Sequence, residues 1–144
     1  PQLCYQTPMA TDDIFVGRLM STPARTVTPD TLVEDAARTI LDNEIGSLVV
    51  VGDDDELLGI LTTTDFVDIV AKSKPKAETT VERYMSTDVA TTAAGDSIRD
   101  VADEMVDHGF HHMPVVDEEE GVIGMITTTD MAAYLSHAET PIPT

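Results

Sequence analysis

Hydrophobic and polar positions follow a regular order along the first half of the chain. Apolar residues recur at the spacing of one helical face at Val33, Ala36, Ala37, Ile40 and Leu41. Two short apolar runs rich in β-branched residues follow at 48–51 and 57–61, separated by a polar turn. Runs of this length are typical of strands, so the pattern predicts an amphipathic helix followed by a β-hairpin.

The second half of the chain repeats the first. When the sequence is shifted by 65 positions, residues 16–66 align without a gap on residues 81–131, and 16 of the 51 aligned pairs are identical. The strongest match is Gly-Ile-Leu-Thr-Thr-Thr-Asp at 59–65 against Gly-Met-Ile-Thr-Thr-Thr-Asp at 124–130. Agreement over this length indicates a tandem duplication.

Each copy is predicted to fold as β-α-β-β-α. A short extended piece at 26–28 comes first, and a second helix opens at the cluster 62–65. In the second copy, Gly95-Asp96 is expected to open the first helix, and the acidic run 117–120 forms the hairpin turn. A unit of about 60 residues buries too little surface to be comfortably stable alone, so the two copies are expected to pack as a pseudo-twofold pair.

The repeat also predicts the boundaries of the domains. Polar, Pro-containing sequence between the copies is expected to form a linker. The predicted segments are an N-terminal tail at 1–13, a first domain at 14–71, a linker at 72–80, a second domain at 81–138 and a C-terminal tail at 139–144.

The charge balance excludes several classes of partner. Eight Lys and Arg against 27 Asp and Glu give a formal net charge of −19. A nucleic-acid-binding protein or a protein attracted to an anionic membrane needs a basic surface that this sequence lacks. The acidity indicates either adaptation to concentrated salt, where screening weakens repulsion, or an acidic surface that keeps the protein in solution.

Composition also bears on the location of the protein. Hydrophobic residues make up 42% of the chain, which is enough for a core and argues against disorder. No apolar run is long enough for a transmembrane helix, and no signal peptide is expected. The one cysteine, Cys4, cannot form an internal disulfide, which suits a reducing cytoplasmic location.

The sequence that closes each copy has chemistry of its own. Thr62 and Asp65 stand where a strand ends and a helix begins. There a hydroxyl can donate to a phosphate oxygen, a carboxylate can accept from two ribose hydroxyls, and the helix N-terminus stabilises an anion. The same residue types are also common helix caps whatever the function. Their repetition at the same place in both copies favours ligand binding over capping alone.

The tandem β-α-β-β-α unit, closed each time by Gly-hydrophobic-hydrophobic-Thr-x-x-Asp, resembles a pair of CBS domains, named after cystathionine β-synthase. The resemblance covers nearly all of residues 16–137. It implies an α/β (α+β) fold of two CBS domains with pseudo-twofold symmetry. It also implies a stand-alone, non-enzymatic regulatory module that forms disc-like homodimers and acts on an effector protein.

CBS pairs hold adenosine-type ligands at two related sites in the cleft between the domains. The resemblance implies that Asp65 and Asp130 hold ribose hydroxyls. It further implies that Thr62 and Thr127 contact phosphate, with Gly59 and Gly124 belonging to the same motif. Less firmly implied lining residues come from the first strand and the loop before the second: Arg25, Thr26, Val27, Thr28, Ile45, Gly46, Ser47, Thr91, Phe110, His111 and His112.

The candidate ligands are AMP, ADP, ATP and S-adenosylmethionine, with no cofactor required. Polyphosphate-binding relatives usually supply Arg, Lys or His to the phosphate, whereas here Arg25 is the best candidate and its counterpart is Ala90. This favours AMP or S-adenosylmethionine over ATP. Because Gly46-Ser47 corresponds to His111-His112, the two sites are expected to differ in occupancy.

Other candidate chemistry has weaker support. His108, His111 and His112 resemble a metal-binding cluster, but a helix end and alternate faces of a strand do not converge on one ion, so no metal site is predicted. The acidic run 53–56 suits either a cation or, as we favour, a solvated hairpin tip. No nucleophile elbow or Walker phosphate loop is present, so no catalytic residue is predicted.

Two hypotheses of different classes follow. In the first, the protein is a sensor that binds an adenosine-containing ligand between its repeats and shifts between open and closed arrangements. In the second, it is an interaction or scaffold protein that acts through its dimer surface and has vestigial ligand clefts. Both hypotheses expect a twofold homodimer that buries the remaining apolar faces.

Overall fold

The computed structural model describes residues 14–72 and 79–139. The predicted N-terminal tail at 1–13, most of the predicted linker, and the residues after 139 lie outside this part of the chain. The described residues form two repeats, and the first has the predicted β-α-β-β-α order while the second lacks the predicted first strand. The two repeats and their pseudo-twofold relation confirm the α/β (α+β) fold class.

The first repeat contains a three-stranded sheet and three helices. Strands β1 and β2 are parallel, and β2 and β3 form the predicted antiparallel hairpin through a 3₁₀ turn at Asp53–Asp55. The elements are α1 (Val16–Leu19), β1 (Thr26–Val27), α2 (Val33–Asn43), β2 (Ser47–Val51), β3 (Leu57–Thr62) and α3 (Thr63–Ala71).

The second repeat contains a two-stranded sheet, a short 3₁₀ turn and two helices. Strands β4 and β5 are antiparallel, and Val115 pairs with Gly124 just as Val50 pairs with Gly59 in the first repeat. The elements are a 3₁₀ turn at Val81–Arg83, α4 (Ile98–His108), β4 (His112–Asp117), β5 (Gly121–Thr127) and α5 (Thr128–Glu139).

The counterpart of β1 in the second repeat is reduced to a single bridge between Thr92 and Val115. In the first repeat the Val49 amide donates to the Arg25 carbonyl at 3.0 Å, which extends the parallel pairing. Pro114 occupies the equivalent position in β4 and has no N–H to donate. One proline therefore accounts for the missing strand.

Helix α4 begins two residues later than the sequence predicts. Asp96 was expected to open it, but its carboxylate instead accepts from Thr92 Oγ1 at 2.7 Å and from the Ala93 amide at 2.9 Å. These hydrogen bonds, the Ala93 amide first, lower the pKa of Asp96. Ser97 therefore provides the N-cap and accepts from the Arg99 amide at 3.2 Å.

Most of the predicted apolar stripe of α2 faces the core, but Leu41 does not. Val33, Ala36 and Ile40 are buried, whereas Leu41 is 75% exposed. Its equivalent in α4, Val106, is 81% exposed. The prediction that Leu41 belongs to the buried face is therefore wrong, because the spacing alone does not show where the sheet ends beneath the last turn.

The N-terminal lead-in segment of each repeat, at 16–25 and 81–90, packs against the other repeat. Val16, at the start of the first repeat, is fully buried in the hydrophobic cluster of the second repeat. Val81, at the start of the second repeat, is fully buried in the cluster of the first. The exchange is held by backbone hydrogen bonds such as Val16 to Asp96 at 2.9 Å and Val81 to Thr31 at 2.8 Å.

A third hydrophobic cluster joins the two sheets. It contains residues of both hairpins: Val49, Val51, Ile60, Val122 and Met125. Beside it the lead-in segments pair with the opposite hairpins, Ser86 with Ile60 and Ser21 with Met125. This third cluster therefore forms a hydrophobic contact between the two repeats.

The lead-in segments pass so close to the hairpins that only glycine fits beneath them. A Cβ added at Gly59 would lie 2.8 Å from the Ser86 carbonyl oxygen, and one added at Gly124 would lie 2.9 Å from that of Ser21. Both distances are shorter than real Cβ contacts allow, and these two oxygens belong to the backbone, although the side chains of Met85 and Met20 are also close. The two motif glycines are thus required by the packing between repeats.

We expect Gly59→Ala to destabilise the protein by about 1–3 kcal/mol, because the added methyl group displaces the Ser86 backbone. Gly95→Ala is a matched control, since a Cβ there has nothing within 4 Å, and we expect a change within about 0.5 kcal/mol. Urea unfolding in concentrated salt measures both values. Equal free energies of unfolding for the two variants would contradict the proposed close approach.

Candidate functional site

Two clefts lie between the repeats. Cleft I has a volume of about 580 Å³ and is lined by the first lead-in at 21–25, the loop at 44–47, Met125, and the start of α5 at 127–129, with His112 at one side. Cleft II has a volume of about 370 Å³ and is lined by Ile60, the segment 62–65, the second lead-in residues Ser86 and 88–90, and the loop at 109–112.

The two clefts are built from equivalent parts of the duplicated chain. Segments 21–25 and 44–47 of cleft I correspond, at a shift of 65 residues, to segments 86–90 and 109–112 at cleft II. The helix starts that close them, at 127–129 and 62–64, correspond in the same way. Each cleft therefore combines the lead-in and loop of one repeat with the helix start of the other.

The two Thr–Asp pairs cap the helices that border the clefts. Asp65 Oδ2 accepts from the Thr62 amide at 2.8 Å, and Asp130 Oδ2 accepts from the Thr127 amide at 2.9 Å. Thr127 Oγ1 in turn accepts from the Asp130 amide at 3.1 Å, which completes a capping box. The capping interpretation is therefore realised at both helices, and each capping contact uses Oδ2.

The remaining polar groups at the helix starts are partly engaged. The first amide of α3, at Thr63, donates to the Gly46 carbonyl at 3.1 Å, and the first amide of α5, at Thr128, donates to the His111 carbonyl at 3.1 Å. Ser21 Oγ donates to Asp130 Oδ1 at 3.4 Å across the repeats. The second amides, at Thr64 and Thr129, are not engaged by these contacts, and their residues line the clefts.

His112 stands between the clefts and lines both of them. A Cβ added at Gly46 would lie 2.8 Å from its Nε2, so the glycine leaves room for the imidazole. Burial lowers the pKa of His112, and the neighbouring His111 lowers it further, while Asp130 acts in the opposite direction. The ring is thus held mainly in its neutral form near neutral pH.

Many of the residues implied by the resemblance lie at the clefts. Cleft I contains Thr127 and the loop residues of the first copy, and cleft II contains the Thr62–Asp65 turn and the loop residues of the second. The lining residues among them are Arg25, Ile45, Gly46, Ser47 and Thr127 for cleft I; Thr62, Asp65, Phe110 and His111 for cleft II; and His112 for both.

Other implied residues lie outside the cleft linings. Thr26 and Val27 form β1, Thr28 begins the turn before α2, and Thr91 precedes the Thr92 bridge. Gly59 and Gly124 face the lead-in segments across the repeats. Asp130 borders cleft I through its cap on α5 and its contact with Ser21.

Sequence reasoning missed the lead-in residues that line the clefts. These residues come before the predicted first strand of each copy, where the sequence predicts no helix or strand. They are Ser21, Thr22, Pro23 and Ala24 at cleft I, and Ser86, Asp88, Val89 and Ala90 at cleft II. The identical Met-Ser-Thr triplets at 20–22 and 85–87 were the available signal. A triplet that is identical in both copies and belongs to no predicted helix or strand indicates a shared contact.

The described residues provide neither a metal cluster nor a membrane-spanning helix. Within 14–72 and 79–139, no group of three or more His, Cys, Asp or Glu side chains is arranged to hold an ion. As predicted, α4 ends at His108, whose ring stacks on Phe110 at a centroid distance of 5.4 Å, while His112 starts β4. None of the helices in this part of the chain is both long and apolar enough to cross a bilayer.

Comparison with known proteins agrees with this architecture. The family model described as CBS domain matches residues 16–72 and again residues 81–137. The chain therefore belongs to the CBS domain family and contains a tandem pair of these domains.

Two similar proteins differ in how much of their own length this chain covers. An uncharacterized 17.7 kDa protein of Acidianus ambivalens is 29% identical over 125 residues, which cover 87% of this chain and 75% of its own length. A homoserine O-acetyltransferase of Methanosalsum zhilinae is 32% identical over 130 residues, which cover 90% of this chain but 26% of the enzyme. This chain thus spans about a quarter of that enzyme.

Among solved structures, the CBS domain pair of protein MJ0100 superposes with a TM-score of 0.80 at 25% identity, covering 88% of this chain and 98% of that one. That protein was crystallised in complex with 5′-methylthioadenosine and S-adenosyl-L-methionine. A conserved protein of Pyrococcus horikoshii superposes with a TM-score of 0.78 at 25% identity, covering 92% and 98% of the two chains.

We expect the stability of the protein to fall as the pH drops below about 6.5, the ordinary pKa of histidine. Because the pKa of His112 is lowered in the folded state, the unfolded chain binds a proton there first. The stabilisation from neutral His112 is therefore present above the unfolded pKa and is lost as the pH falls through the folded one. Urea unfolding at a series of pH values measures the effect.

His112→Gln should flatten this pH dependence, because the titrating group is removed. His108→Gln is the control, since His108 is exposed at the end of α4 and should leave the slope unchanged. A His112→Gln profile identical to that of the unmodified protein would contradict the assignment.

Proposed function

We propose that this CBS pair is a non-catalytic regulatory module that binds an adenosine-containing ligand in the clefts between its repeats. The observation that carries the proposal is the duplicated construction of the clefts, each with a Thr–Asp turn opposite a polar lead-in. The complex of the similar MJ0100 domain pair with two adenosyl compounds supports it.

The free side of each cap provides the chemistry for a ribose. With Oδ2 engaged by the Thr62 amide, Asp65 retains Oδ1 as an acceptor for vicinal ribose hydroxyls. At cleft I, Asp130 keeps the same arrangement, and its long 3.4 Å contact with Ser21 is one that a ligand hydroxyl can replace. One carboxylate therefore both caps a helix and binds the sugar.

The remaining cleft groups suit the other parts of such a ligand. The amides of Thr64 and Thr129 at the helix starts favour an oxygen-rich group such as a phosphate. Arg25 borders cleft I and supplies a full positive charge. With this single Arg and a strongly acidic chain, we favour AMP or S-adenosylmethionine over ADP and ATP as the ligand.

Ligand binding would act by bridging the repeats. Each cleft is lined by residues of both repeats, so a bound molecule contacts the lead-in and loop of one and the helix start of the other. Such a ligand stabilises the arrangement in which these parts are closest and shifts the population toward it. An effector protein that recognises this arrangement would read the signal, and a cytoplasmic location with abundant salt fits the charge.

A twofold homodimer is part of the proposal. Large apolar side chains are exposed at equivalent positions of the repeats: Val70 in α3 is 65% exposed, and Leu135 in α5 is 58% exposed. Their equivalence gives the surface an approximate twofold symmetry of its own, which suits a self-complementary interface. Burial of these side chains in a second copy would remove apolar surface from water.

Calorimetric titration with AMP, ADP, ATP, S-adenosylmethionine and NAD tests the ligand proposal. We expect binding by at least one adenosyl ligand, and a loss of affinity of about tenfold or more in Asp65→Ala or Asp130→Ala. Such a loss matches the removal of a hydrogen bond to a charged group, about 1.5–3 kcal/mol. Absence of binding by all five compounds would contradict the proposal and favour the scaffold hypothesis.

Two controls separate ribose binding from helix capping. Asp65→Asn keeps an acceptor for the Thr62 amide, so its stability should stay near that of the unmodified protein while the charge-assisted contact to the ribose is weakened. Asp96→Ala loses a comparable pair of hydrogen bonds outside both cleft linings and should leave the binding heat unchanged.

Sedimentation analysis tests the dimer. We expect the double variant Val70→Asn/Leu135→Asn to sediment as a monomer, because the exposed apolar pair no longer favours association. The matched variant Leu41→Asn/Val106→Asn changes the other exposed equivalent pair and should remain dimeric. If the first variant stays dimeric, the interface does not use the exposed faces of α3 and α5.

A further inference from the structure

The two clefts differ in charge at equivalent positions. Arg25 of the first lead-in lines cleft I, and the equivalent residue at cleft II is Ala90. Pro23 also lines cleft I, and the equivalent residue at cleft II is Asp88. The lead-in therefore presents a cation to one cleft and an anion to the other.

The complete linings keep this difference. Among the described residues, cleft I is lined by one cation, Arg25, and one anion, Glu44, which balance each other. Within residues 14–72 and 79–139, cleft II is lined by two carboxylates, Asp65 and Asp88, and by no Lys or Arg. With neutral histidines, the formal charge of the linings is zero at cleft I and −2 at cleft II. When Asp130 at the border of cleft I is counted as well, cleft I becomes −1, and cleft II is still the more negative.

Arg25 is available to a ligand. Two other cations are paired with carboxylates: Arg38 contacts Asp35 at 3.4 Å, and Lys72 contacts Asp68 at 3.1 Å. In the part of the chain that the structure describes, no ion pair engages the Arg25 side chain. Its guanidinium remains free to form a bidentate contact with a phosphate or carboxylate.

The clefts also differ in size. Ile45, Gly46 and Ser47 line cleft I, whereas the bulkier Phe110, His111 and His112 occupy the equivalent loop at cleft II. The volume falls accordingly from about 580 Å³ to about 370 Å³. Cleft II therefore has less room for a large substituent as well as an unfavourable potential for an anionic one.

We propose that the two clefts select adenosine ligands of opposite charge at the 5′ position. Cleft I takes an anionic 5′ group, such as a phosphate, which Arg25 contacts. Cleft II takes a compact 5′ group that is neutral or cationic, such as a thioether or an ammonium, which Asp88 tolerates or attracts. This inference rests on the proposed function, since it assumes that the clefts bind adenosine.

Such a module responds to two ligand classes at once. A phosphorylated adenosine and an uncharged or cationic adenosyl compound occupy different clefts and do not compete. Because His112 lines both clefts, each ligand adjoins the same imidazole, and occupation of one cleft alters the wall of the other. The state with both clefts occupied therefore depends on the concentrations of both ligand classes.

Three probes that differ only at the 5′ position test the inference: AMP, adenosine and 5′-amino-5′-deoxyadenosine. By calorimetry, we expect AMP and the amino compound each to bind the unmodified chain with a stoichiometry of one. Saturation with one should leave the binding of the other intact. Adenosine should bind both clefts, since it has no charge at the 5′ position.

Charge variants assign each probe to a cleft. Arg25→Gln should lower the affinity for AMP about fivefold to tenfold, as expected for loss of one charge-assisted hydrogen-bonding partner. The affinity for adenosine should stay within about twofold of its original value. The double variant Asp88→Asn/Ala90→Arg gives cleft II a cation in place of an anion, and AMP should then bind with a stoichiometry of two. Arg18→Gln is the control, because Arg18 is exposed in α1 outside both linings.

The outcomes distinguish this inference from the function beneath it. If adenosine binds but AMP and the amino compound compete for the same site, charge selection by the clefts is refuted while the adenosine site stands. An equal loss of affinity for AMP and for adenosine in Arg25→Gln also refutes charge selection. If none of the three probes binds, both the inference and the proposed function fail.

Discussion

The close approach of each lead-in segment to the opposite hairpin is the constraint on which the rest of the molecule depends. At Gly59 and Gly124 the two backbones come so near that a single methyl group would not fit. This contact carries the start of each repeat across to its neighbour and fixes Val16 and Val81 in the partner core. Without the exchange, the lead-in residues would not reach the helix starts, and neither cleft would have its second wall.

The Thr–Asp turns show how one short motif serves stability and ligand chemistry together. One carboxylate oxygen satisfies a backbone amide at the start of a helix, which stabilises the fold with no ligand present. The other oxygen, Oδ1, can accept from a ribose hydroxyl, which is the role that the resemblance implies. Capping and ligand binding are therefore not rival explanations of Asp65 and Asp130, because a carboxylate has acceptors for both.

Duplication made two clefts alike, and a few substitutions made them different. Pro114 removes the N–H that would extend a second parallel strand, and the histidine-rich loop at 109–112 narrows cleft II. The carboxylates that line cleft II differ in role from the other acidic residues of the chain. Most carboxylates are exposed and border no cleft, whereas the half-buried Asp65 and the exposed Asp88 line a cleft in which Arg25 has no charged counterpart.

The sequence by itself determined the duplication, the order of helices and strands, the hairpins and the capped helix starts, because these follow from periodicity and from contacts between near neighbours. It named Arg25, but it did not determine that residues 21–24 and the segment 86–90, rather than Thr26–Thr28 and Thr91, line the clefts. It also did not show that Asp96 is engaged before α4 begins, or that Leu41 faces solvent. The turn at Asp96 is local, with partners at Thr92 and Ala93, but it has no periodicity to reveal it. The cleft linings and the exposure of Leu41 depend on contacts between residues far apart in the chain, and such contacts leave no periodic signal either. Only the tertiary structure, by crossing the lead-in segments between the repeats, decided which residues meet.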